Sequence, residues 1–73
     1  MTLVRKGQTG EAEKIYKQIL KEDPNNVDAL RLLGLLAAKG GSLDQGIMIL
    51  KKCTEIAPDY ALAWENLANI YRQ

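Results

Sequence analysis

The sequence contains no histidine and a single cysteine, Cys53. One cysteine cannot form an intrachain disulfide, and without histidine the usual zinc-binding ligand sets are missing. The glycine-containing segment GQTG at residues 7–10 reads as a turn, because it is too short for a phosphate loop and lacks the Lys-Ser or Lys-Thr that would follow. Cys53 falls on an apolar helical face, where a small buried thiol is expected rather than a nucleophile. We therefore expect no catalysis, no cofactor and no metal site.

The sequence also lacks an excess of one charge and a long apolar run. Ten Lys and Arg residues against nine Asp and Glu residues give a formal net charge of +1, which offers no basic patch to nucleic acid or to an anionic membrane. The longest apolar run, residues 32–38, is far shorter than the roughly 20 residues that span a bilayer. The N-terminal segment MTLVRKG has no apolar signal region. These features predict a cytoplasmic protein without nucleic-acid or membrane partners.

Only two prolines are present, Pro24 and Pro58, and each separates a charged stretch from an apolar one. Proline removes a backbone donor and disfavours the helical conformation of the preceding residue, so each proline predicts the end of a helix. Strand-like alternation is absent, and apolar residues recur at helical spacing instead. We predict four α-helices: Glu11 to Glu22, Val27 to about Lys39, Ser42 to about Ile56, and residue 60 to the end of the chain.

Capping and turn residues mark the ends of these helices. Side-chain oxygens accept hydrogen bonds from the unpaired N–H groups at a helix N-terminus, and glycine adopts the left-handed turn at a C-terminus without a Cβ penalty. Ser42 followed three residues later by Gln45 has the form of a capping box. The expected caps are Asn25 or Asn26 for the second helix, Ser42 for the third and Asp59 for the fourth, with Gly40 and Gly41 ending the second helix.

The sequence repeats with a period of 34 residues. Aligning residues 7–39 with residues 41–73 pairs Pro24 with Pro58 and places nearly every apolar residue opposite an apolar or small one. Internal repeats of this length indicate stacked helical hairpins. The other identities that set the register are Gly7 with Gly41, Ile15 with Ile49, Lys17 with Lys51, Ala29 with Ala63 and Leu33 with Leu67.

The residues at the core positions of this repeat resemble a known family. The fourth helix contains Trp64, Leu67, Ala68 and Tyr71 in the spacing W-x2-L-A-x2-Y, and the second helix contains Leu30, Leu33, Gly34 and Ala37 at the same spacing. Small, large and proline positions recur as Ala12, Tyr16 and Pro24, and again as Gly46, Leu50 and Pro58. This pattern resembles the tetratricopeptide repeat, a helix-turn-helix unit of 34 residues.

The resemblance implies an all-α fold of antiparallel helix-turn-helix repeats stacked as a superhelical solenoid. In that frame residues 7–24 are the second helix of one repeat, residues 27–58 are one full repeat, and residues 60–73 are the first helix of the next. We interpret the chain, residues 1–73, as a single segment of a longer array. Gly34 and Gly46 are the expected close-contact pair of the full repeat, since the helices of such a unit cross where small residues face each other.

The family resemblance also implies the function, a scaffold for protein-protein interaction. In the family, the first helix of each repeat lines a concave groove that holds a peptide or a partner helix. For Leu35 the alternative to a place in the groove is burial in the core, and for the charged groove residues listed next it is a solvated surface. Carried onto this chain, the groove residues are Asp28, Arg31, Leu35, Ala38, Lys39, Leu62, Glu65, Asn66, Asn69, Arg72 and Gln73.

Other functions and assemblies remain open at this level. The chain could be an accessory helical segment of a larger enzyme or a self-associating assembly module, whereas its near-neutral charge argues against RNA binding. Because both terminal helices lack a partner, the face of Ile15, Tyr16 and Ile19 and the face of Trp64, Leu67 and Tyr71 are expected to be partly exposed. A homodimer formed by exchange of the C-terminal helix would cover them, with a monomer and head-to-tail association as the alternatives.

Overall fold

The computed structural model describes residues 6–72, and this part of the chain consists of helices and short turns without strands. The four helices are α1 (Lys6–Glu22), α2 (Val27–Lys39), α3 (Leu43–Ile56) and α4 (Ala61–Arg72). The most extensive packing is between α2 and α3, while α1 packs on α2, and α4 packs on α3 and on α2. Each helix therefore contacts its neighbours in sequence, as expected for a helical repeat. Within these residues no helix is both long and apolar enough to cross a bilayer.

α1 begins at Lys6, so the prediction of a turn at residues 7–10 and of a helix start at Glu11 is wrong. Each glycine inside a helix costs about 1 kcal/mol relative to alanine. Extending an existing helix adds one backbone hydrogen bond for each residue that is fixed, and this gain is available even to weak helix formers. The predicted ends of α2 and α3 and the placement of both prolines in turns are confirmed.

Asn26 caps α2, because its side-chain oxygen accepts a hydrogen bond from the backbone N–H of Ala29 at 3.0 Å. Gly41 at the other end of α2 has a φ of 96°, whereas Gly40 has a φ of −79°. Of the two predicted glycines, only Gly41 thus adopts the left-handed conformation.

The predicted capping box at Ser42 is wrong, since its side chain makes no capping hydrogen bond. The backbone N–H of Ser42 donates instead to the Ala37 carbonyl at 2.9 Å. This bond connects Ser42 to the end of α2. The ψ angle of Ser42 is 66°, whereas that of Asn26, whose side chain caps a helix, is 103°.

The predicted cap at Asp59 is also wrong. The Tyr60 carbonyl accepts from the N–H groups of Ala63 at 3.1 Å and Trp64 at 3.5 Å, which makes Tyr60 the residue that precedes the first turn of α4. The backbone N–H of Tyr60 donates to the Ala57 carbonyl at 3.1 Å. This turn after α3 moves the start of α4 past Asp59.

Two small apolar clusters hold the helices together. Leu30 of α2, Cys53 of α3 and Ala63 of α4 form the first cluster, so three helices meet there. Leu50, Leu67 and Ile70 form the second cluster between α3 and α4. Because both clusters include residues of α4, they join the α2–α3 hairpin to α4.

The close-contact pair predicted at Gly34 and Gly46 is confirmed. A Cβ atom at Gly34 would lie 2.9 Å from Cγ of Leu50, and one at Gly46 would lie 2.8 Å from the carbonyl oxygen of Gly34. Both glycines are buried. The absence of two side chains therefore sets the distance between α2 and α3.

The outer faces of the terminal helices are partly exposed, as expected. Ile15 is 58% exposed, Trp64 50% and Tyr71 62%. Trp64, although it occurs at core spacing, is therefore not a core residue of this chain. Leu67 differs from the expectation, because it is only 5% exposed and is covered by Leu50 in the second cluster.

Candidate interaction groove

α2 and α4 lie side by side and leave a groove of about 240 Å³ between their outward side chains. We call this space the α2–α4 groove. Its floor includes the nearly buried Ile70, and its walls carry amide and ammonium groups. The lining residues are Leu35, Ala38 and Lys39 of α2 and Asn66, Asn69 and Ile70 of α4.

A polar network beside the groove connects the two helices through Arg31. The Nε–H of Arg31 donates to the Tyr60 hydroxyl oxygen at 2.9 Å, and its Nη1 donates to Oδ1 of Asn66 at 3.1 Å. The Tyr60 hydroxyl in turn donates to Oδ1 of Asp28 at 2.6 Å. The guanidinium carbon also lies 5.7 Å from the centroid of the Tyr60 ring, within the range of a cation–π contact. Arg31 is thus held by two hydrogen-bond acceptors and one aromatic face.

This network favours the protonated form of the Tyr60 hydroxyl. Its hydrogen bond to the Asp28 carboxylate raises the pKa of Tyr60, partial desolvation raises it further, and the bond from Arg31 opposes the shift. A hydroxyl that donates to a carboxylate would lose that bond on ionisation, so the neutral form is favoured. Through these two hydrogen bonds the hydroxyl links Arg31 to Asp28.

The far end of the groove has a second polar contact. Nη2 of Arg72 donates to Oδ1 of Asn69 at 2.7 Å. The contact joins residues on successive turns of α4 and places a positive charge beside Asn69. Arg72 itself is exposed and remains accessible to solvent.

The structure brings together many of the residues that the family resemblance assigned to a groove, and among the described residues it leaves two of them aside. Leu35, Ala38, Lys39, Asn66 and Asn69 line the α2–α4 groove, Asp28 and Arg31 belong to the adjoining network, and Arg72 contacts Asn69. Leu62 and Glu65 are exposed on α4 without lining the groove. Gln73 lies outside the described residues.

Two residues of the groove region were not predicted from the sequence, Tyr60 and Ile70. Tyr60 directly precedes α4, and nothing in the helical periodicity indicates that its ring reaches back to α2. Ile70 fits the apolar spacing of α4, which is the pattern of a core residue. Its burial, with 7% exposed, agrees with that, and the groove reaches down to it.

Cys53 has no features of a reactive thiol. The side chain is fully buried, and its Sγ–H donates to the Val27 carbonyl at 3.4 Å. Burial raises the pKa of the Cys53 thiol, so the protonated and less nucleophilic form is favoured. The expectation of a buried structural thiol is confirmed.

Comparisons with known proteins agree with the helical architecture. A family model described as tetratricopeptide repeat matches residues 3–70. Over 70 residues the chain is 39% identical to human "Superkiller complex protein 3" and 36% identical to the mouse protein of the same name. It is also 36% identical over 70 residues to "Tetratricopeptide repeat protein 37" of Xenopus laevis. Each match covers 96% of this chain but only 4% of the relative. The tetratricopeptide repeat is generally a protein-interaction module.

Proposed function

We propose that this chain, which belongs to the tetratricopeptide repeat family, is a non-catalytic scaffold that holds a peptide segment or a partner helix in the α2–α4 groove. The observation that carries the proposal is the network in which Arg31 joins Tyr60 and Asn66 across the two helices. It links the two walls of the groove before any ligand arrives. Preorganised side chains lose less conformational entropy on binding, which favours affinity.

The chemistry of the groove suits a peptide. Leu35, Ala38 and Ile70 supply apolar surface for one anchoring side chain. The amides of Asn66 and Asn69 can accept from, and donate to, the N–H and C=O groups of a peptide backbone. Lys39 adds a positive charge at the edge of the groove. A short apolar anchor flanked by backbone hydrogen bonds is the ligand that this set fits best.

The relatives support an assembly role without identifying a partner. The human and mouse proteins are named as members of a Superkiller complex, and this chain matches only 4% of their length. We extend to this chain the role of holding proteins together, and nothing more specific. We place it in a reducing compartment such as the cytoplasm, where the free thiol of Cys53 stays reduced.

Selection from a phage-displayed library of random peptides, followed by calorimetry with a synthetic selected peptide, tests this proposal. We expect Arg31→Ala and Asn69→Ala each to weaken binding of the selected peptide by about tenfold or more, equivalent to about 1.4 kcal/mol. The matched control is Lys52→Ala. Lys52 is an exposed residue of α3 that does not line the groove, so this variant should bind the selected peptide with the same affinity as the wild type. Equal affinity in all four proteins, or peptide-induced amide shifts confined to α1 and α3, would contradict the proposal.

A further inference from the structure

A second cavity lies between α1 and α3, and it shares no lining residue with the α2–α4 groove. Its volume is about 230 Å³. Within the described residues α1 packs on α2 but not on α3, so a space is left between α1 and α3 above α2. We call this space the α1–α3 pocket. The residues that line it include Glu13 and Lys17 of α1, Leu33 and Leu36 of α2, and Gln45 and Ile49 of α3.

The 34-residue repeat allows this pocket to be compared with the junction of α3 and α4. The corresponding residues are Glu13 and Ile47, Leu33 and Leu67, and Leu36 and Ile70. At the junction of α3 and α4, Ile47 packs against the cluster that contains Leu67 and Ile70. Leu67 and Ile70 are only 5% and 7% exposed there. An apolar side chain at position 47 thus helps to close the second junction.

At the junction of α1 and α2, a carboxylate stands in the place of that apolar side chain. Burying Glu13 against leucine side chains would cost desolvation free energy. Its Oε2 accepts a hydrogen bond from Nζ of Lys17 at 3.0 Å instead. Leu33 and Leu36 are only half-buried and face the pocket. The α1–α3 pocket therefore has an apolar floor and an ion pair on its rim.

Beside the pocket, α1 carries a row of exposed lysines. Lys17 lines the α1–α3 pocket and also an open depression that contains Lys14 and Lys21. Residues three and four apart lie on one face of a helix, and these three lysines extend over about 10 Å of the helix axis. Lys14 and Lys21 form no ion pair with another described side chain. We call Lys14, Lys17 and Lys21 the lysine row.

From this arrangement we propose that the α1–α3 pocket and the lysine row together bind an acidic amphipathic helix of a partner protein. One apolar side chain of that helix enters the pocket, and its carboxylates pair with the lysine row. Successive turns of a helix are about 5.4 Å apart, so acidic residues one and two turns from the apolar side chain match the length of the row. The site is separate from the α2–α4 groove and does not depend on the function proposed for the groove.

The size and the charges of this surface favour a protein helix over other anionic ligands. The pocket is smaller than the roughly 300–1,000 Å³ of small-molecule sites, which suits one apolar side chain. A nucleic acid would bring phosphate groups close to the Glu13 carboxylate and would offer no aliphatic side chain to the pocket. A bilayer surface would meet the lysine row with its headgroups and leave the apolar floor unoccupied.

The test uses a synthetic alanine-based helix of about 15 residues as the probe. It carries one leucine, with glutamates one and two helical turns away on each side, so that either direction of binding brings carboxylates to the lysine row. Amide spectra of the full chain are recorded while the peptide is added. We expect shifts at Leu33, Leu36 and Ile49, and weaker binding as salt is added, because exposed charges are screened.

Control peptides separate the two parts of the contact. A peptide with alanine in place of its leucine should bind about tenfold more weakly or worse, because it leaves the pocket empty. A peptide with lysines in place of its glutamates should also bind more weakly. No shifts up to millimolar peptide, or shifts confined to the α2–α4 groove, overturn the proposal. Tighter binding of single-stranded RNA or of phosphatidylserine vesicles than of the peptide overturns it as well.

Charge reversals on the chain locate the contact. Lys14→Glu and Lys21→Glu should each weaken binding of the glutamate peptide by about threefold and improve binding of the lysine peptide. The matched control is Lys51→Glu on α3, since Lys51 is exposed and lines neither the pocket nor the depression. This control should bind like the wild type. Equal affinity of all these proteins for the glutamate peptide overturns the proposal.

A substitution inside the pocket gives the sharpest result. Glu13→Ile should repeat the packing of Ile47 at the other junction and fill the α1–α3 pocket. We expect the thermal midpoint to rise while binding of the glutamate peptide falls by about tenfold or more, and a loss of binding in a more stable protein is not a folding defect. A stabilised Glu13→Ile protein that binds like the wild type overturns the proposal.

The same peptide distinguishes this site from the groove. Arg31→Ala and Asn69→Ala, which should weaken a ligand of the α2–α4 groove, are expected to bind the glutamate peptide like the wild type. Weaker binding in these two variants would place the peptide in the groove and overturn the proposal. Failure of the groove to bind its own selected peptides would leave the result at the α1–α3 pocket unchanged.

Discussion

Two residues without side chains set the geometry of the central hairpin. Gly34 and Gly46 each cost helix propensity, about 1 kcal/mol relative to alanine, and each faces the backbone or a side chain of the other helix at a distance where a Cβ would clash. The close approach lets Leu50 fill the space beside them with no exposed surface. The distance between α2 and α3 is therefore set by the missing side chains of Gly34 and Gly46.

We predict that Gly46→Ala destabilises the chain by about 1 to 3 kcal/mol, because overpacking against the Gly34 carbonyl outweighs the gain in helix propensity. Gly10→Ala is the matched control, since Gly10 also lies within a helix but has no neighbouring atom within 4 Å of an added Cβ. It should stabilise the chain by up to about 1 kcal/mol. Urea unfolding of both variants gives the sign of each change. A Gly46→Ala protein as stable as the wild type would contradict the close contact.

The Tyr60 hydroxyl gives a second prediction at the scale of single residues. Asp28→Ala removes the acceptor that chiefly raises the pKa of Tyr60, so that pKa should fall in the variant, as measured by the ring-carbon chemical shift against pH. In the wild type the folded state holds this proton more tightly than the unfolded state, in which the pKa is 10.0. The stability from this bond is therefore present below pH 10.0 and is lost as pH rises above it. The Tyr60→Phe variant should not show the loss of folding stability above pH 10.0 that comes from this hydrogen bond. An unchanged Tyr60 pKa in the Asp28→Ala variant would contradict the network.

At the scale of elements, the sequence predicted which segments are helical better than where each helix begins. Gly40 and Gly41 predicted the end of α2, and Pro58 predicted the end of α3, because these signals act on the backbone of the same residues. Caps depend on the path of the preceding chain as well. Ser42 has the right residue type, but its N–H completes the end of α2, and its backbone does not adopt the extended conformation of Asn26.

The two cap positions can be compared directly. We predict that Asn26→Ala lowers the free energy of unfolding by about 1 kcal/mol, the usual loss when a side-chain cap is removed. Ser42→Ala should change it much less, since no capping bond is lost. For a domain of this size the difference corresponds to a shift in thermal midpoint of about 4 to 8 °C. Equal losses in the two variants would show that the assignment of the caps is incorrect.

At the scale of the whole molecule, the 34-residue register predicted the order of packing. The groove residues came from the family resemblance; five of them line the α2–α4 groove, and their role in binding stays a prediction. Helices of the same class in successive repeats lie side by side, so residues of α2 and α4 at outward positions come together regardless of their distance in sequence. The Arg31 network could not be predicted in this way. It depends on a tyrosine in the turn before α4, and its bonds to Arg31 and Asp28 span 29 and 32 residues without a periodic signal.

The central claim is that α4 packs on α2 and α3 as the first helix of a following repeat, which creates the groove. Nuclear Overhauser contacts between side chains of the full chain test this most directly. We predict contacts of Ala63 with Leu30 and of Ile70 with Leu50, because these pairs belong to the two buried clusters. Contacts of Ala63 and Ile70 limited to residues within α4 would show that α4 does not dock there, and the groove would not exist.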